Sequence, residues 1–404
     1  MSTEPLLFDP YDYSFHDDPY PMYARLREEA PVYRNDERDF WALSRNADVL
    51  DAFRDSSRFS SAYGVTLDAM AWGPDAWRAM SFLAMDPPNH GRMRGLVSRG
   101  FTPRRVAEME PRIRRMTVDY LDDVLARGSF DFVADFAGRL PMDVISEMVG
   151  VPTADRSEVR RLADLTVHRE EGVIDIPEAG VVAAIELAAY YADMVAQRRV
   201  SPSDDLTSAL LEVEVDGDRL SDDDIIGFLT LMIVAGNETT TKLLSHAWYW
   251  AWNNPDQRAI VQSDPGAIPG WIEETLRFDT SSQLLARRAT EDIELHDTVI
   301  PEASRVLLLA GSANRDPRVF DRPDEYQILR FGRDGADSRG LLASFGVGRH
   351  FCMGAALARL EAHIALEELL ARVTTWEVDP DGCRRVHSVN VRGFASLPTT
   401  VTLT

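Results

Sequence analysis

A glycine-rich loop that delivers one cysteine to the start of a helix is the feature that most constrains this chain. The loop spans residues 344–354, Ser-Phe-Gly-Val-Gly-Arg-His-Phe-Cys-Met-Gly, and runs into the helical pattern Ala-Ala-Leu-Ala-Arg-Leu-Glu. We expect Gly346, Gly348 and Gly354 to give the backbone positive φ angles and to let it approach a flat object closely. At Cys352 the unpaired N–H groups of the following helix and its dipole favour a thiolate. The loop therefore predicts a metal-binding sulfur, although an isolated cysteine before a helix is more often a small buried hydrophobe.

The spacing Phe345-x-x-Gly348-x-His350-x-Cys352-x-Gly354 resembles the haem-thiolate monooxygenases, the cytochrome P-450 superfamily. The resemblance implies a mainly α fold with a small β region, a triangular prism with haem b between a long central helix and the helix after the cysteine. It implies a single domain over residues 1–404 in which Cys352 ligates the iron. The loop residues that would contact the cofactor are Phe345, Gly346 and Gly354.

The composition limits the other classes of function. A net charge of −23 argues against nucleic acid as a partner, because phosphates would be repelled. The two cysteines, Cys352 and Cys383, exclude a disulfide scaffold and favour a reducing compartment. The sequence does not open with a basic region followed by an apolar run. We therefore expect a cytoplasmic monomer without a membrane anchor.

A long apolar helix is predicted from Ile225 to Asn253, after the strong start signal Ser-Asp-Asp-Asp at 221–224. Its middle, Val-Ala-Gly-Asn-Glu-Thr-Thr-Thr at 234–241, contains poor helix formers. Ala235 and Gly236 would let a macrocycle lie against the helix. Glu238 and Thr239 supply an acid and a hydroxyl, and a threonine bonded to the carbonyl one turn back could open the helix for water.

The bland alternative is a crowded core helix with a solvent-facing glutamate. By the resemblance to the family pattern Ala/Gly-Gly-x-Asp/Glu-Thr, Glu238 and Thr239 are the catalytic pair that delivers protons to dioxygen.

Candidate haem carboxylate ligands follow the segment Asp86-Pro87-Pro88, which predicts a helix start with the aspartate as cap. His90 and Arg94 stand at i and i+4 and share one face of that helix. By themselves they would be an ordinary solvated face. The resemblance implies that both bind haem propionates, and it adds two further ligands, Arg287 in preference to Arg288 and His350.

Glu274 and Arg277 stand at i and i+3 on a predicted helix beginning near Ala267. Alone, such a pair is nearly always a surface ion pair of little energetic value. The resemblance implies a structural role in the haem core with a third, basic partner. Glu325 stands where that base is expected, so the third partner stays open between Arg322 and Arg330.

The substrate cannot be identified from the sequence, but its chemical class can. Residues 60–82 form a loop rich in large apolar groups, which suggests that it covers something. We expect a hydrophobic, fairly large substrate such as a fatty acid, terpenoid, steroid or polyketide, and a lid near residues 168–172. Arg392 is expected to be exposed to solvent. The predicted pocket residues are Met70, Trp72, Phe82, Val234, Leu284, Leu285 and Phe394.

The implied function is insertion of one oxygen atom of O2 into a hydrophobic small molecule. No flavin or iron-sulfur pattern occurs, so electrons must come from a separate ferredoxin and its reductase. Basic residues in an otherwise acidic chain are expected to dock that partner, and reversing Arg104 and Arg112 to Glu should weaken reduction. Two alternatives stay open, namely a peroxide-driven haem-thiolate enzyme, which normally lacks the acid and alcohol pair, and a protein without haem. The expected docking residues are Arg104, Arg105, Arg112, Arg114, Arg115, Arg349 and Arg359.

Overall fold

The computed structural model describes residues 5–167, 175–215, 217–338 and 340–404. Within these ranges the chain is mostly helical, as predicted. The α-helices are α1 (Tyr13–Asp17), α2 (Tyr20–Glu29), α3 (Asn46–Arg54), α4 (Trp77–Met80), α5 (Asn89–Gly100), α6 (Pro103–Glu108), α7 (Glu110–Leu125), α8 (Leu140–Val149), α9 (Arg156–Val167), α10 (Glu178–Val200), α11 (Leu206–Glu212), α12 (Asp222–Asn253), α13 (Pro255–Ser263), α14 (Ile268–Phe278), α15 (Ala310–Ala313) and α16 (Ala355–Arg372).

The strands form small sheets beside the helices. They are β1 (Val32–Asn35), β2 (Phe40–Leu43), β3 (Phe59–Ser60), β4 (Ser129–Asp131), β5 (Glu214–Val215), β6 (Asp218–Arg219), β7 (Leu285–Ala289), β8 (Ile293–Leu295), β9 (Thr298–Ile300), β10 (Arg305–Leu308), β11 (Val373–Val378), β12 (Arg384–Arg385), β13 (Phe394–Ser396) and β14 (Pro398–Leu403). The largest sheet has the order β1-β2-β10-β7-β3, in which β2 and β10 run parallel and the other pairs antiparallel. The hairpin of β1 and β2 forms one edge of this sheet, with Val32 opposite Leu43.

The central helix α12 begins with a capping box, because the Ser221 hydroxyl and the Asp224 carboxylate each accept a backbone N–H of the other residue. It ends before Pro255, which opens α13. Around it lies the main core, where Trp248 stacks between Phe132 and Trp376 with ring centroids 5.0 and 3.9 Å away. The long predicted helix is thus confirmed, and it is the element against which the others pack.

Some predicted helix boundaries were wrong for identifiable reasons. From the sequence we expect helical structure throughout Pro103 to Arg127, but it is broken between α6 and α7, because Pro111 in the first turn of α7 cannot donate to the preceding turn. Asp86 does not cap α5, since its carboxylate accepts hydrogen bonds from the Ser60 hydroxyl and the Ser61 N–H. In both places a tertiary contact or a proline overrides the local signal.

Among the described residues, α10 is the one helix that is long and apolar enough to cross a membrane, with a mean hydropathy of 1.4. This is weak evidence, because core helices of soluble proteins have the same length and composition. One third of the segment is buried, and α10 packs against α9 and α12. The predicted lid at residues 168–172 lies outside the described residues.

Candidate active site

The cysteine loop is shaped by two of its three glycines. Gly346 and Gly348 adopt φ angles of +62° and +73°, which a side chain disfavours. Gly354 does not, since its φ is −79° and it directly precedes α16, so the prediction of a positive φ there was wrong. The Cys352 N–H donates to the Phe345 carbonyl at 2.9 Å, which closes the loop. The loop therefore holds Cys352 in one position at the N-terminus of α16.

Opposing effects raise and lower the pKa of the Cys352 thiol. Cys352 is solvent-accessible, but protein surrounds it on most sides, and this burial raises the pKa of the thiol. The N–H groups of Gly354 and Ala355 and the positive charges of Arg94 and Arg359 lower it. Burial outweighs the helix N-terminus in the free thiol, contrary to the prediction from the sequence. A coordinated metal would supply the charge that the thiolate needs.

Four nitrogen-bearing side chains gather beside the cysteine loop. His90 and Arg287 are each 2% exposed, and the rings of His90 and His350 lie 4.1 Å apart between centroids. Arg94 donates to the Phe351 carbonyl at 2.6 Å and so reaches the residue next to Cys352. The helix α5, the strand β7 and the cysteine loop thus bring together the four side chains that the sequence proposed.

Buried donors in this cluster lack acceptors within the protein. In the described part of the chain, Nε2 of His90 and Nη2 of Arg287 are buried without a hydrogen-bond partner. Neither ring nitrogen of His350 has a partner with good geometry, although the nearby Met85 backbone favours its charged form. Burial, reinforced by neighbouring arginines, lowers the pKa of His90 to about 4 and that of His350 to about 3. Burial also lowers the pKa of Arg287 to about 10.

Such a cluster is costly without an anionic ligand, because each unpaired buried donor carries a desolvation cost of about 1–3 kcal/mol. Two carboxylates on a planar ligand that is also bound by Cys352 would satisfy it. The donor set therefore fits the propionates of haem b, and His90, Arg94, Arg287 and His350 are the residues that would hold them.

The middle of the central helix carries small residues. Ala235 is exposed in the middle of α12, and a Cβ added at Gly236 would meet nothing closer than Ile145 at 3.7 Å. The Thr239 hydroxyl donates to the Ala235 carbonyl at 2.8 Å, as predicted. The helix nevertheless stays α-helical throughout, so the predicted opening is absent from α12 as described. Its surface here can accept a flat ligand.

Glu238 and Thr239 do not face the same way. Successive residues of an α-helix point about 100° apart, and Glu238 turns toward Lys242, whose Nζ lies 2.9 Å from its carboxylate. Glu238 lines a cavity of about 430 Å³, and Thr239 does not. The acid and the alcohol are adjacent in sequence but lie on two sides of the helix.

The open question about the Glu274–Arg277 pair is resolved in favour of Arg330. Glu274 and Arg277 are fully buried and form two hydrogen bonds of 2.8 Å, and Nε of Arg330 lies 3.1 Å from the same carboxylate. Arg322 instead pairs with Glu325 at the surface. The sequence could not choose, because both arginines lie close to Glu325.

The same region supports the cysteine loop. Arg277 donates to the Asn314 carbonyl, and the Asn314 side chain donates to the Ser344 hydroxyl at 2.8 Å and accepts from the Ala343 N–H. Ser344 donates in turn to the Leu276 carbonyl at 2.7 Å. The ion pair is therefore a structural element that two hydrogen bonds, through Asn314, connect to the start of the cysteine loop. Sequence reasoning missed Asn314, which no local pattern marks.

The predicted pocket residues do not share one environment. Phe82 packs near His90 and Phe228, at centroid distances of 5.9 and 6.1 Å, and lies beside the site. Leu284 is 0% exposed among the N-terminal aromatic residues, and Phe394 is 2% exposed against α12, so both contact protein rather than a cavity. Their role in the substrate pocket stays a prediction.

The other pocket candidates differ in exposure. Met70 is 65% exposed on the surface, and Arg305 lies 4.7 Å from the Trp72 ring centroid. Val234 and Leu285 are half-buried. The pocket role of these residues stays a prediction.

Arg392 was predicted to be exposed, and this was wrong. It is 6% exposed, and its Nε lies 2.7 Å from the carboxylate of Asp279, which is itself 1% exposed. The Tyr20 hydroxyl and the Trp250 indole N–H donate to the same carboxylate. The nearby cations keep the pKa of Asp279 far below its usual range despite burial. Arg392 therefore ties the C-terminal segment to the core.

Comparison with known proteins gives a consistent result. The family profile Cytochrome P450 matches residues 268–403. Cytochrome P450 123 of Mycobacterium tuberculosis is 58% identical over 396 residues, covering 98% of this chain and 97% of that protein.

Two solved structures share the fold over nearly the whole chain. The cytochrome P450 PksS of the Bacillus subtilis bacillaene polyketide synthase matches with a TM-score of 0.88 and 32% identity, covering 98% of this chain and 100% of that one. CYP109E1 of Bacillus megaterium, in complex with corticosterone, matches with a TM-score of 0.84 and 30% identity, covering 96% and 99%. Since the relatives cover the chain and its loop, helices and buried donors suit haem b, this protein belongs to the cytochrome P450 family of haem-dependent monooxygenases.

Proposed function

We propose that this protein inserts one oxygen atom of O2 into a hydrophobic small molecule, by hydroxylation or epoxidation, in the cytoplasm and as a single-domain monomer. The observation that carries the proposal is the set of buried donors of His90 and Arg287 without protein acceptors, beside the accessible Cys352. A cysteine ligand together with carboxylate-binding donors is what haem b requires. When bound, the haem supplies the activation of dioxygen.

The residues around the cofactor have separate tasks in this proposal. Cys352 would bind the iron, and His90, Arg94, Arg287 and His350 would bind the propionates. The small residues Ala235 and Gly236 of α12, together with Phe345, Gly346 and Gly354, allow the macrocycle to approach the backbone.

In this proposal Thr239 donates a proton during the reaction. Its hydroxyl now donates to the Ala235 carbonyl, and rotation of the side chain would free that proton for the reacting oxygen. The Ser281 hydroxyl donates to the Thr239 carbonyl at 2.8 Å and holds this part of α12 against the segment before β7. Glu238 replenishes the proton from the other side of the helix.

The substrate class rests on the apolar character of the loop before α5. Phe82 packs beside the site and Trp72 belongs to the same loop. CYP109E1 was solved with corticosterone and PksS belongs to a polyketide synthase. We therefore favour a steroid-sized or polyketide-sized substrate, with fatty acids and terpenoids as the other members of the class.

Electrons are proposed to come from an acidic ferredoxin and its reductase. Several of the arginines expected to dock it are paired internally, including Arg114 with Glu367 and Glu368. Of the described residues, exposed Arg115 and Arg349 have no carboxylate within ion-pair distance. Arg349 is three residues from Cys352, so it is the cation best placed to attract the partner toward the haem.

Two measurements test the proposal. The reduced carbon monoxide complex should show the red-shifted thiolate band, and Cys352→Ser should lose it. A spectral screen with corticosterone, palmitate and a macrolide should detect displacement of water from the ferric iron, followed by product analysis with ferredoxin and reductase. A band that survives in Cys352→Ser would refute the ligand, and turnover with peroxide alone at the full rate would refute the dependence on ferredoxin.

A further inference from the structure

Helix α14 carries two adjacent buried acids that face different elements. Glu274 pairs with Arg277 and Arg330, as described above. Glu273 is 5% exposed, and because successive residues of an α-helix point about 100° apart, it faces α16 instead. A carboxylate buried this deeply needs a cation and hydrogen bonds to offset its lost hydration. The contacts of Glu273 therefore indicate which part of the protein it stabilises.

The cation that binds Glu273 is Arg359, on the second turn of α16. Nε and Nη2 of Arg359 donate to the two carboxylate oxygens at 2.5 and 3.2 Å, which is a bidentate arrangement. The Ser338 hydroxyl donates to one of these oxygens at 2.7 Å. A Cβ at Gly335 would lie 2.6 Å from Cγ of Glu273, so the backbone packs closely on this side chain. The segment before the cysteine loop thus fixes the carboxylate, and the carboxylate fixes the guanidinium.

The guanidinium of Arg359 lies on the cysteine loop. Its central carbon is 4.6 Å from the ring centroid of Phe345, and the Phe345 carbonyl accepts the N–H of Cys352. Burial raises the pKa of the Cys352 thiol, and the positive charge of Arg359 is one of the effects that oppose this rise. Arg359 is therefore close enough to favour a negatively charged sulfur.

Arg359 has room to leave this position. Its side chain is 38% exposed, and it lines a cavity of about 700 Å³ together with Glu273, Ser338 and Phe345. An arginine at such a site can turn its charged end into water, where salt screens the charge. The stack on Phe345 contributes only about 0.5–1 kcal/mol at an exposed site. The bidentate bond to Glu273 is therefore the contact that keeps the charge beside the loop.

We propose that Glu273 is a positioning residue that holds the charge of Arg359 beside the Cys352 thiolate and thereby raises the reduction potential of the haem. Reduction of the ferric haem by the ferredoxin adds one electron, so the reduced site carries one more negative charge than the oxidised site. A fixed positive charge nearby stabilises the reduced site more than the oxidised one. The inference rests on the proposed ligation of the haem by Cys352, and it adds a role for a residue outside the ligand set.

Titration of the holoenzyme with dithionite and redox mediators, followed by its visible absorption, measures this potential. Arg359→Gln removes the charge and should lower the equilibrium constant of reduction by roughly tenfold, which for one electron is about 59 mV. Glu273→Asp keeps both charges but shortens the carboxylate by one methylene, so the bidentate bond is lost and the potential should fall in the same direction by less. Ser338→Ala loosens Glu273 without changing any charge and should also lower the potential.

The double variant Glu273→Asp/Arg359→Gln tests whether Glu273 acts through the arginine. If it does, the double variant should have the potential of Arg359→Gln alone, because the two effects are then not additive. The matched controls Glu367→Asp and Arg372→Gln make the same substitutions in ion pairs farther along α16. Both controls should keep the wild-type potential. Haem content and melting temperature show that each variant is folded.

The carbon–oxygen stretching frequency of the ferrous carbon monoxide complex gives an independent readout. A thiolate with less positive charge beside it donates more electron density to the iron, and the bound carbon monoxide then has a lower stretching frequency. Arg359→Gln and Glu273→Asp should both lower this frequency, whereas Glu367→Asp and Arg372→Gln should not. A role of Glu273 in stability alone would change the melting temperature and leave the frequency as it is.

Either of two results would overturn the inference. One is an Arg359→Gln enzyme with the wild-type potential, and the other is a Glu273→Asp enzyme that keeps the wild-type potential and stretching frequency. If Glu273→Asp does not retain haem, the same comparison is decided by Ser338→Ala. In each case a wild type with the red-shifted thiolate band keeps the proposed ligation by Cys352. A wild type without that band refutes the ligation, and the role of Glu273 falls with it.

Discussion

Glu361 on α16 offers the sharpest test of the core energetics, since it is an acid in a place that disfavours charge. It is 2% exposed, and its Oε2 has no partner in the described part of the chain. Burial alone raises the pKa of Glu361 from 4.5 to about 8. The folded protein therefore binds a proton on Glu361 in a pH range where the unfolded chain has already released it.

The sign and size of the effect follow from linkage. A raised acid pKa means that the native state holds more protons, so the free energy of unfolding falls as pH rises from 4.5 toward 8. At about 1.4 kcal/mol per pKa unit, the loss is roughly 3 kcal/mol at pH 7 and about 5 kcal/mol above pH 8. Glu361→Gln removes the ionisable group, so this variant does not lose stability through that ionisation. The difference in free energy of unfolding between the variant and the wild type should therefore increase with pH by the same amounts.

Urea unfolding of the holoenzyme followed by circular dichroism at pH 5, 6, 7 and 8 measures this gain. The control Glu367→Gln changes an exposed carboxylate of the same helix, whose ion pair with Arg114 has a value of about 0–1 kcal/mol. A difference between Glu361→Gln and the wild type that does not change with pH would refute the argument that burial keeps Glu361 protonated.

Three further predictions concern the haem framework. Arg330→Gln should destabilise the protein by about 3–5 kcal/mol in urea unfolding, because the buried Glu274 loses a partner. The control Arg322→Gln at the surface should lower the free energy of unfolding by less than about 1 kcal/mol. Equal effects of the two substitutions would contradict the assignment of Arg330 as the third partner. Arg287→Leu should speed haem transfer to apomyoglobin by roughly tenfold, the equivalent of one charged hydrogen bond, and Arg288→Leu, which removes the guanidinium stacked on Tyr63, should leave the rate unchanged. Arg349→Glu should slow reduction by ferredoxin roughly tenfold at low salt and much less at high salt in stopped-flow traces; a rate that does not depend on salt would remove Arg349 from the docking surface.

The sequence predicted the parts of the site that depend on local rules. The start of α12 follows from a serine and three aspartates, and the turn of the cysteine loop follows from Gly346 and Gly348. His90 and Arg94 share a face because helix geometry requires it, and the structure brings them to the cysteine loop as expected. Each of these features depends only on residues within one helical turn or one tight loop, which are close together in the sequence.

The parts that could not be predicted depend on residues far apart in sequence. Arg392 lies 113 positions from Asp279, and nothing near Arg392 in the sequence distinguishes it from a solvated arginine. The choice of Arg330 over Arg322 is of the same kind, because the two arginines flank the same short segment around Glu325 and only Arg330 reaches the buried Glu274. Leu284 and Phe394 were predicted to line the pocket because their side chains are apolar. Apolar side chains are equally suited to the protein core, and both residues are buried.

Helix α12 shows why the motif alone gives an incomplete mechanism. The pattern Ala-Gly-Asn-Glu-Thr reads as one functional unit, but the helix turns its members to different sides. Ala235 is exposed, and Glu238 lines the cavity of about 430 Å³ that it shares with Asp164 of α9. Thr239 bonds to its own helix and Glu238 to Lys242, so neither side chain is free in this arrangement. If the two residues act as the proposed proton-delivering pair, one of these bonds has to be released before a proton can pass between them.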